Sequence, residues 1–361
     1  MIHNIFSVQD ATIYETTLNS TMNTGLDEIL EIDKTVCTGK ANYVSRAMLK
    51  FDLTELSASI VSTEISSGSR YYLSLSAMEG TEIPLDYNLY VYPVSQSWSM
   101  GTGRRFNTPI TTDGVSWEYR DNVNKWITGS YSGNSTGSSE LTDGGAVWYT
   151  GSGYEASQSF NYSSPDTRID VTDIVNKWLT GTIPNDGLIV KRLDSDEAST
   201  TEFGNLKFFS QESHTIYIPK LQVAWDNSSF ITGSLSPLSV DNKVVYTKGL
   251  KKHIKKNSKV KIRIAGRPKY PQQTFATSSA YRDTQYLPTT TYYSVEDTVT
   301  EDVIIPFDDN YTKVSCDANG NYFDLWTTGF LPNRYYKFVF KVSENGYEEY
   351  FDNGFYFKVV R

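Results

Sequence analysis

The sequence predicts an all-β protein built of two stacked-sheet domains, and three observations carry that reading. Hydrophobicity alternates with period two in one short run after another, the runs end at Gly, Asn, Asp, Ser or Pro, and a helical repeat is nearly absent. Aromatic residues make up 14% of the chain, led by 26 tyrosines, and aromatic and β-branched side chains suit a pleated, half-buried surface. With 361 residues, the chain exceeds what one core usually serves, so two domains are expected.

The runs justify themselves in order. "SRYYLSLSAMEG" sets Tyr71, Leu73 and Leu75 on one face and Tyr72, Ser74 and Ser76 on the other. "YNLYVYPV" (87–94), "TIYIPKLQVAW" (215–225), "KVKIRIAG" (259–266) and "YYKFVFKV" (335–342) read the same way.

Two near-copies of Asn-Lys-Trp-aliphatic-Thr-Gly interrupt this pattern. In "IDVTDIVNKWLTGTIPNDGLIVKR" (169–192), Asp170 is expected to cap a short helix that projects Ile174, Val175, Trp178 and Leu179 to one side. Gly181 should stop that helix and the Asp186–Gly187 turn should start the next strand. In the earlier copy, "NVNKWITGS" (122–130), Trp126 is expected to pin a second such corner. Phe51, Trp126, Trp178 and Leu179 are therefore the predicted core anchors. Trp98, Trp117 and Trp148 pack in the core on one reading and stack on sugar rings on the other; their exposure decides between the two.

Residues 104–122 and the Ser- and Gly-rich 129–159 read as long surface loops. Near Trp225 the alternation fades into Ser, Gly and Pro. The expected division is thus a domain over 1–226, a linker over 227–242 and a C-terminal domain over 243–361.

Composition bounds the function. The charge of −9 gives no global case for nucleic-acid binding. The N-terminus lacks the basic and apolar regions of a secretory signal, no apolar run would span a membrane, and the two cysteines, Cys37 and Cys316, make no disulfide framework. Synthesis in a cytoplasm is expected, with no membrane partner.

Catalytic constellations are hard to assemble. The three histidines, His3, His214 and His253, have no partner in sequence. No nucleophile elbow, phosphate loop or His-Glu-x-x-His motif occurs. Acids cluster in "DSDEAS" (194–199), "PFDDN" (306–310) and "DANGN" (317–321). A glycosidase pair or a structural calcium site would need such oxygens, but solvated turns contain them too. No cofactor is expected, and the metal question stays open.

One charge run stands out. Between Lys248 and Lys269 the residues Lys251, Lys252, Lys255, Lys256, Arg263 and Arg267 occur with no intervening acid. Alternation in "KVKIRIAG" predicts a strand with a solvated basic face, which on an edge strand would discourage uncontrolled sheet pairing. The competing reading is a docking surface for an acidic protein.

The first two-thirds resembles the DNRLRE-type domain, a β-sandwich related to carbohydrate-binding jelly rolls. The likeness rests on "DATIYE" (10–15), "NTGLDEILEI" (23–32), "SRAMLKFDLTEL" (45–56), "GVSW" (114–117), "DVTDIVNKWLTGTIPNDGLIV" (170–190) and "LKFFSQESHTIYIPKLQVAW" (206–225), in the family's order. Lys177 stands where the family usually has Glu or Gln before the helix Trp, and an insertion separates Trp117 from Asp170. The resemblance implies a jelly-roll-like sandwich with one or two short helices.

The C-terminal part, expected as an Ig-like sandwich, resembles a module of tailed-phage structural proteins through "GLKKHIKKNSKVKIRIAGRPKYPQQTF" (249–275) and "FLPNRYYKFVFKV" (330–342). Together they imply a non-enzymatic virion component of the neck, tail or baseplate, partnered by other virion proteins and by copies of itself. A carbohydrate-binding adhesion module of a fibre or cell surface is the alternative.

Overall fold

A computed structural model of the chain describes all residues except 17–18, 37–42, 128–135, 139–143, 162–164, 272–283 and 353. The protein is all-β. Among the described residues its α-helices are three short ones, Thr54–Val61, Thr172–Leu179 and Asp194–Ala198. Two compact units emerge: Ile5–Ser62 with Arg70–Gln222, and Met1–Asn4 with Thr63–Ser69 and Val223–Arg361.

The main division therefore falls close to the expected position, with two differences. Residues 1–4 and 63–69 belong to the C-terminal unit, and so does 227–242. That stretch is no linker. Ile231 donates its N–H to the Cys316 carbonyl at 2.9 Å, Ser236–Pro237 pairs with Gln285–Tyr286, and Leu238 is buried. Its few apolar side chains close the second core, a role that local composition cannot display.

In the N-terminal unit the strand Tyr43–Phe51 lies between the antiparallel Ser7–Tyr14 stretch and Leu188–Lys191. The sheet continues through Asp86–Pro93 to Ala156–Asn161. Gly204–Phe209 pairs with both Ile29–Thr35 and Ala77–Thr81. Strands with one solvated face alternate in burial, but Tyr43–Phe51 is buried at almost every position and Leu188–Lys191 at all four. A covering layer on each face explains this. One face carries Val44, Met48 and Ile189, and they pack with Val115, Trp117, Ala146 and Trp148 from the two excursions and with Trp98 and Trp126 beside them. The stretches expected as surface loops thus include the roof of a sheet.

Among the described residues the C-terminal unit has two six-stranded sheets. One runs Ser236–Pro237, Gln285–Tyr286, Lys259–Pro268, Gly320–Trp326, Ser315–Asp317, with Lys243–Lys248 also on Lys259–Pro268; the other runs His253–Lys255, Tyr356–Val360, Tyr335–Glu344, Thr291–Asp297, Val303–Ile305, with Tyr347–Phe351 also on Tyr335–Glu344. Aromatic rings join them. Tyr293 stacks on Phe323 at 4.0 Å between centroids, and Phe338 meets the same ring edge-on at 5.3 Å. The strand Lys259–Pro268 pairs with three neighbours, but its first residues, 259–262, which carry Lys259 and Lys261, pair among the described residues only with Gly320–Trp326 and leave one side open.

Candidate functional site

The helix of the second Trp motif forms as its residue pattern requires. Thr172, Ile174, Val175 and Trp178 are buried, and the Thr172 hydroxyl accepts the Tyr71 N–H at 3.0 Å. Val171 is the cap residue and has no side-chain capping bond; Asp170 instead accepts the Thr172 N–H at 3.0 Å. At the far end Thr182 N–H returns to the Lys177 carbonyl and Gly181 N–H to that of Trp178. This closure needs a left-handed residue at Gly181, whose φ is +71°, so glycine is the natural occupant. Leu179, expected as an anchor, is only half-buried.

The first copy behaves differently. Residues 122–127 form turns and an isolated bridge between Tyr119 and Lys125, with no helix. Trp126 is buried all the same, and its indole N–H reaches the Ser116 carbonyl at 3.1 Å. Its Val123 and Ile127 neighbours are exposed. The first copy has Asn122 and Val123 where the second has Ile174 and Val175 in its apolar stripe four and three residues before Trp, and the stripe is lost.

Trp98, Trp117 and Trp148 are all buried, which removes them as sugar-stacking residues. Trp98 donates its indole N–H to the Asp186 carbonyl at 2.7 Å. Trp117 and Trp148 instead enclose a cation. The Arg46 guanidinium lies 4.7 Å from one ring and 5.2 Å from the other, while Lys191 lies 4.6 Å from Trp148. Arg46, Lys191 and Glu197 have fully buried side chains; Glu197 bridges both cations and Asp194 also meets Lys191. Burial, and then the Arg46 charge, lower the Lys191 pKa. Uncharged partners would leave these ions unsolvated, so the cluster stands or falls as a unit.

The acid-rich segments have occupations of their own. In "DSDEAS" Asp194 and Glu197 belong to that ion cluster. In "DANGN" Asp317 holds Arg263 through two bonds of 2.6 and 2.8 Å and caps the Asn319 N–H at 2.8 Å. In "PFDDN" Asp308 accepts the N–H groups of Asn310 and Tyr311. Among the described residues no group of three or more His, Cys, Asp or Glu side chains is placed to hold a metal.

Arg263 is thus held by Asp317. Arg267 donates to the Pro268 carbonyl at 3.0 Å. Both are half-buried on the face of the strand opposite Ile262 and Ile264. The outward members of the basic run are Lys251, Lys252 and Lys255, which are exposed, and Lys256, which is half-exposed. They lie on and around the strand His253–Lys255, which runs parallel to Tyr356–Val360 at the border of its sheet.

At the hairpin joining Tyr335–Glu344 to Tyr347–Phe351, two adjoining depressions of about 300 and 470 Å³ open. Asp241, Glu344 and Asn345 line both; Lys243, Tyr347 and Glu349 complete one and Tyr270 the other. Tyr270 and Tyr347 are 76% and 78% exposed. Sequence reading missed this surface, because Asp241 and Tyr270 lie some 75 to 100 residues from the hairpin and only pairing of Lys243–Lys248 with Lys259–Pro268 gathers them.

A smaller cleft of about 200 Å³ lies in the N-terminal unit, between Tyr14, Asp27, Glu31, Arg104, Arg105 and Phe106. Arg105 pairs with Glu31 and sits 4.9 Å from the Tyr14 ring. Asn23 holds this loop: its amide donates to the carbonyls of Met100 and Val115 at 2.7 and 2.9 Å and accepts from Gly25 and Gly103. The close approach leaves no room for a side chain at Gly101, where a Cβ would sit 2.5 Å from the Asn23 oxygen. The arginines are already matched by carboxylates, so the cleft offers little unpaired charge to a ligand.

No protein-family model and no curated protein matches the chain. Among solved structures it is similar to a DUF4785 family protein from Legionella pneumophila, with 8% identity and a TM-score of 0.17, over 99% of this chain and 62% of that one. It is also similar to a β-glucuronidase from Parabacteroides merdae, with 8% identity and a TM-score of 0.15, over 81% and 27%. The chain spans less than two thirds of either protein, and likenesses this shallow carry no argument about its activity.

Proposed function

We propose that this chain is a non-enzymatic structural component of a tailed-phage virion, in its neck, tail or baseplate, held in place by many protein–protein contacts. The observation that carries this reading is where the polar chemistry faces. The N-terminal unit turns its tryptophans and an ion cluster inward. The C-terminal unit presents tyrosines and unpaired charge outward, at Lys251, Lys252 and Lys255 and at Tyr270 and Tyr347.

Tyrosine suits contact surfaces because its ring packs while its hydroxyl stays hydrated. Repeated on a symmetric framework, individually modest contacts hold by avidity. The resemblances of the two parts to a DNRLRE-type domain and to a phage structural module support the same assignment. The carbohydrate-binding alternative loses the three tryptophans on which it rested.

Purified particles from a lysate of the encoding phage test the proposal. Peptide mass spectrometry is expected to find this chain in multiple copies per particle, and a density map should contain both units. Particles free of the chain would refute it.

A further inference from the structure

The C-terminal unit carries opposite charge at the two ends of one sheet. The strand Tyr335–Glu344 spans ten residues, roughly 30 Å at about 3.3 Å per residue. At its start, Tyr335 pairs with Lys358, which also pairs with His253 of the lysine-bearing strand. At its end, Glu344 pairs with Tyr347 across the hairpin. The lysines 251–256 therefore lie at one end and the tyrosine-rimmed depressions at the other.

Neither end neutralises itself. Lys251, Lys252, Lys255 and Lys256 form no ion pair among the described residues. At the other end Asp241, Glu344 and Glu349 line the depressions with one cation, Lys243, which bonds Glu344 and approaches Glu349, while Lys341 and Glu348 pair at 3.1 Å on the opposite face of the hairpin. Acids remain in excess. The separation is several times the screening length of about 8 Å at physiological salt, so the two ends cannot satisfy each other within one molecule.

We infer that the C-terminal units of two copies dock head to tail, the lysine end of one entering the acidic, tyrosine-rimmed depressions of the next. The occupant is a second copy because the missing cations of one end are those left over at the other. Lysine ammonium groups also sit favourably over tyrosine rings, as that of Lys261 does over Tyr322 at 4.0 Å and that of Lys358 over Tyr335 at 5.4 Å within the unit. Unlike ends meeting make a heterologous contact, which closes into a ring or extends as a stack. The inference rests on the assembly reading above and names its contact.

Charge reversal tests it with the full chain. Sedimentation at about 50 mM salt is expected to show concentration-dependent association that weakens at least tenfold by about 500 mM, as a screened contact must. One variant carries K251E, K252E, K255E and K256E, and another carries D241K and E349K. Each alone should stay monomeric, and their mixture should associate, since each then offers two ends of one sign. Unchanged melting curves verify that both variants fold. Wild-type chain that is monomeric at low salt, or variants that associate as the wild type does, would overturn the pairing. Finding the chain in particles while it fails this test would leave the virion assignment standing and remove only the head-to-tail contact.

Discussion

The two units handle charge in opposite ways. The N-terminal unit buries it: Arg46, Lys191 and Glu197 lie beneath a tryptophan roof, and burial raises the pKa of Asp10 to about 7 and of Asp33 to about 6. The C-terminal unit pairs acids with one cation each, Asp317 and Asp352 at the surface and Asp297 beneath Arg334. Arg263 and Arg334 hold the Asp317 and Asp297 carboxyls below their usual range, and Lys337 does the same to Asp352. Buried charge enforces one internal arrangement and tolerates no truncation, whereas surface charge can be exchanged without loss of the fold. Stability and assembly are thus separable in this chain by region.

The largest effect that would test this contrast is on the buried cluster. Arg46→Ala takes from the enclosed Glu197 its shortest ion pair and leaves only Lys191 to match it, and is expected to cost about 3–5 kcal/mol, read from urea unfolding of the N-terminal unit. Trp178→Ala, which removes the ring that anchors the helix Thr172–Leu179, should cost about 3–5 kcal/mol by the same measurement. A value near zero for either would show that the corner or the cluster contributes no stability.

Asn23→Ala comes next. It orphans two carbonyls and one N–H group of the 99–115 loop, and the Gly25 N–H, and is expected to cost about 2–4 kcal/mol, with faster proteolysis within that loop as a second readout. At the opposite extreme, K251E with K252E should change stability by less than about 0.5 kcal/mol. A large loss there would mean that these lysines serve the fold.

The subtlest test is pH. Asp10 has a folded pKa raised to about 7 by burial, so its contribution is fully present below about 4 and is lost as pH rises toward 7. His3 in the C-terminal unit is shifted the other way, lowered to about 4 by burial. Its contribution is present above about 6.5 and is lost as pH falls toward 4. Asp10→Asn should flatten the pH dependence of the N-terminal unit's melting between 4 and 7, and His3→Gln that of the C-terminal unit between 4 and 6.5. Equal slopes in wild type and variants would refute the assignment of these groups.

What the sequence determined by itself was local. Alternation located the strands Arg70–Leu75, Asp86–Pro93, Lys259–Pro268 and Tyr335–Glu344, because a period of two fixes which side chains share a face. The apolar spacing of Ile174, Val175 and Trp178 with Gly181 behind them located a helix and its stop. The helix Thr54–Val61 carries a weaker signal of the same kind in Leu53, Leu56 and Ile60, of which Leu53 and Leu56 are buried.

Tertiary structure decided everything that required distant partners. Arg46 and Glu197 are separated by 151 residues, and nothing near either one announces the pair. Trp117 and Trp148 could equally have stacked on a ligand until the sheet they cover was in place. Twin motifs with the same tryptophan gave a helix in one place and turns in the other, because burial of a whole stripe, and not the motif, stabilises so short a helix. The charged ends of the C-terminal unit likewise exist only once a ten-residue strand has held them apart.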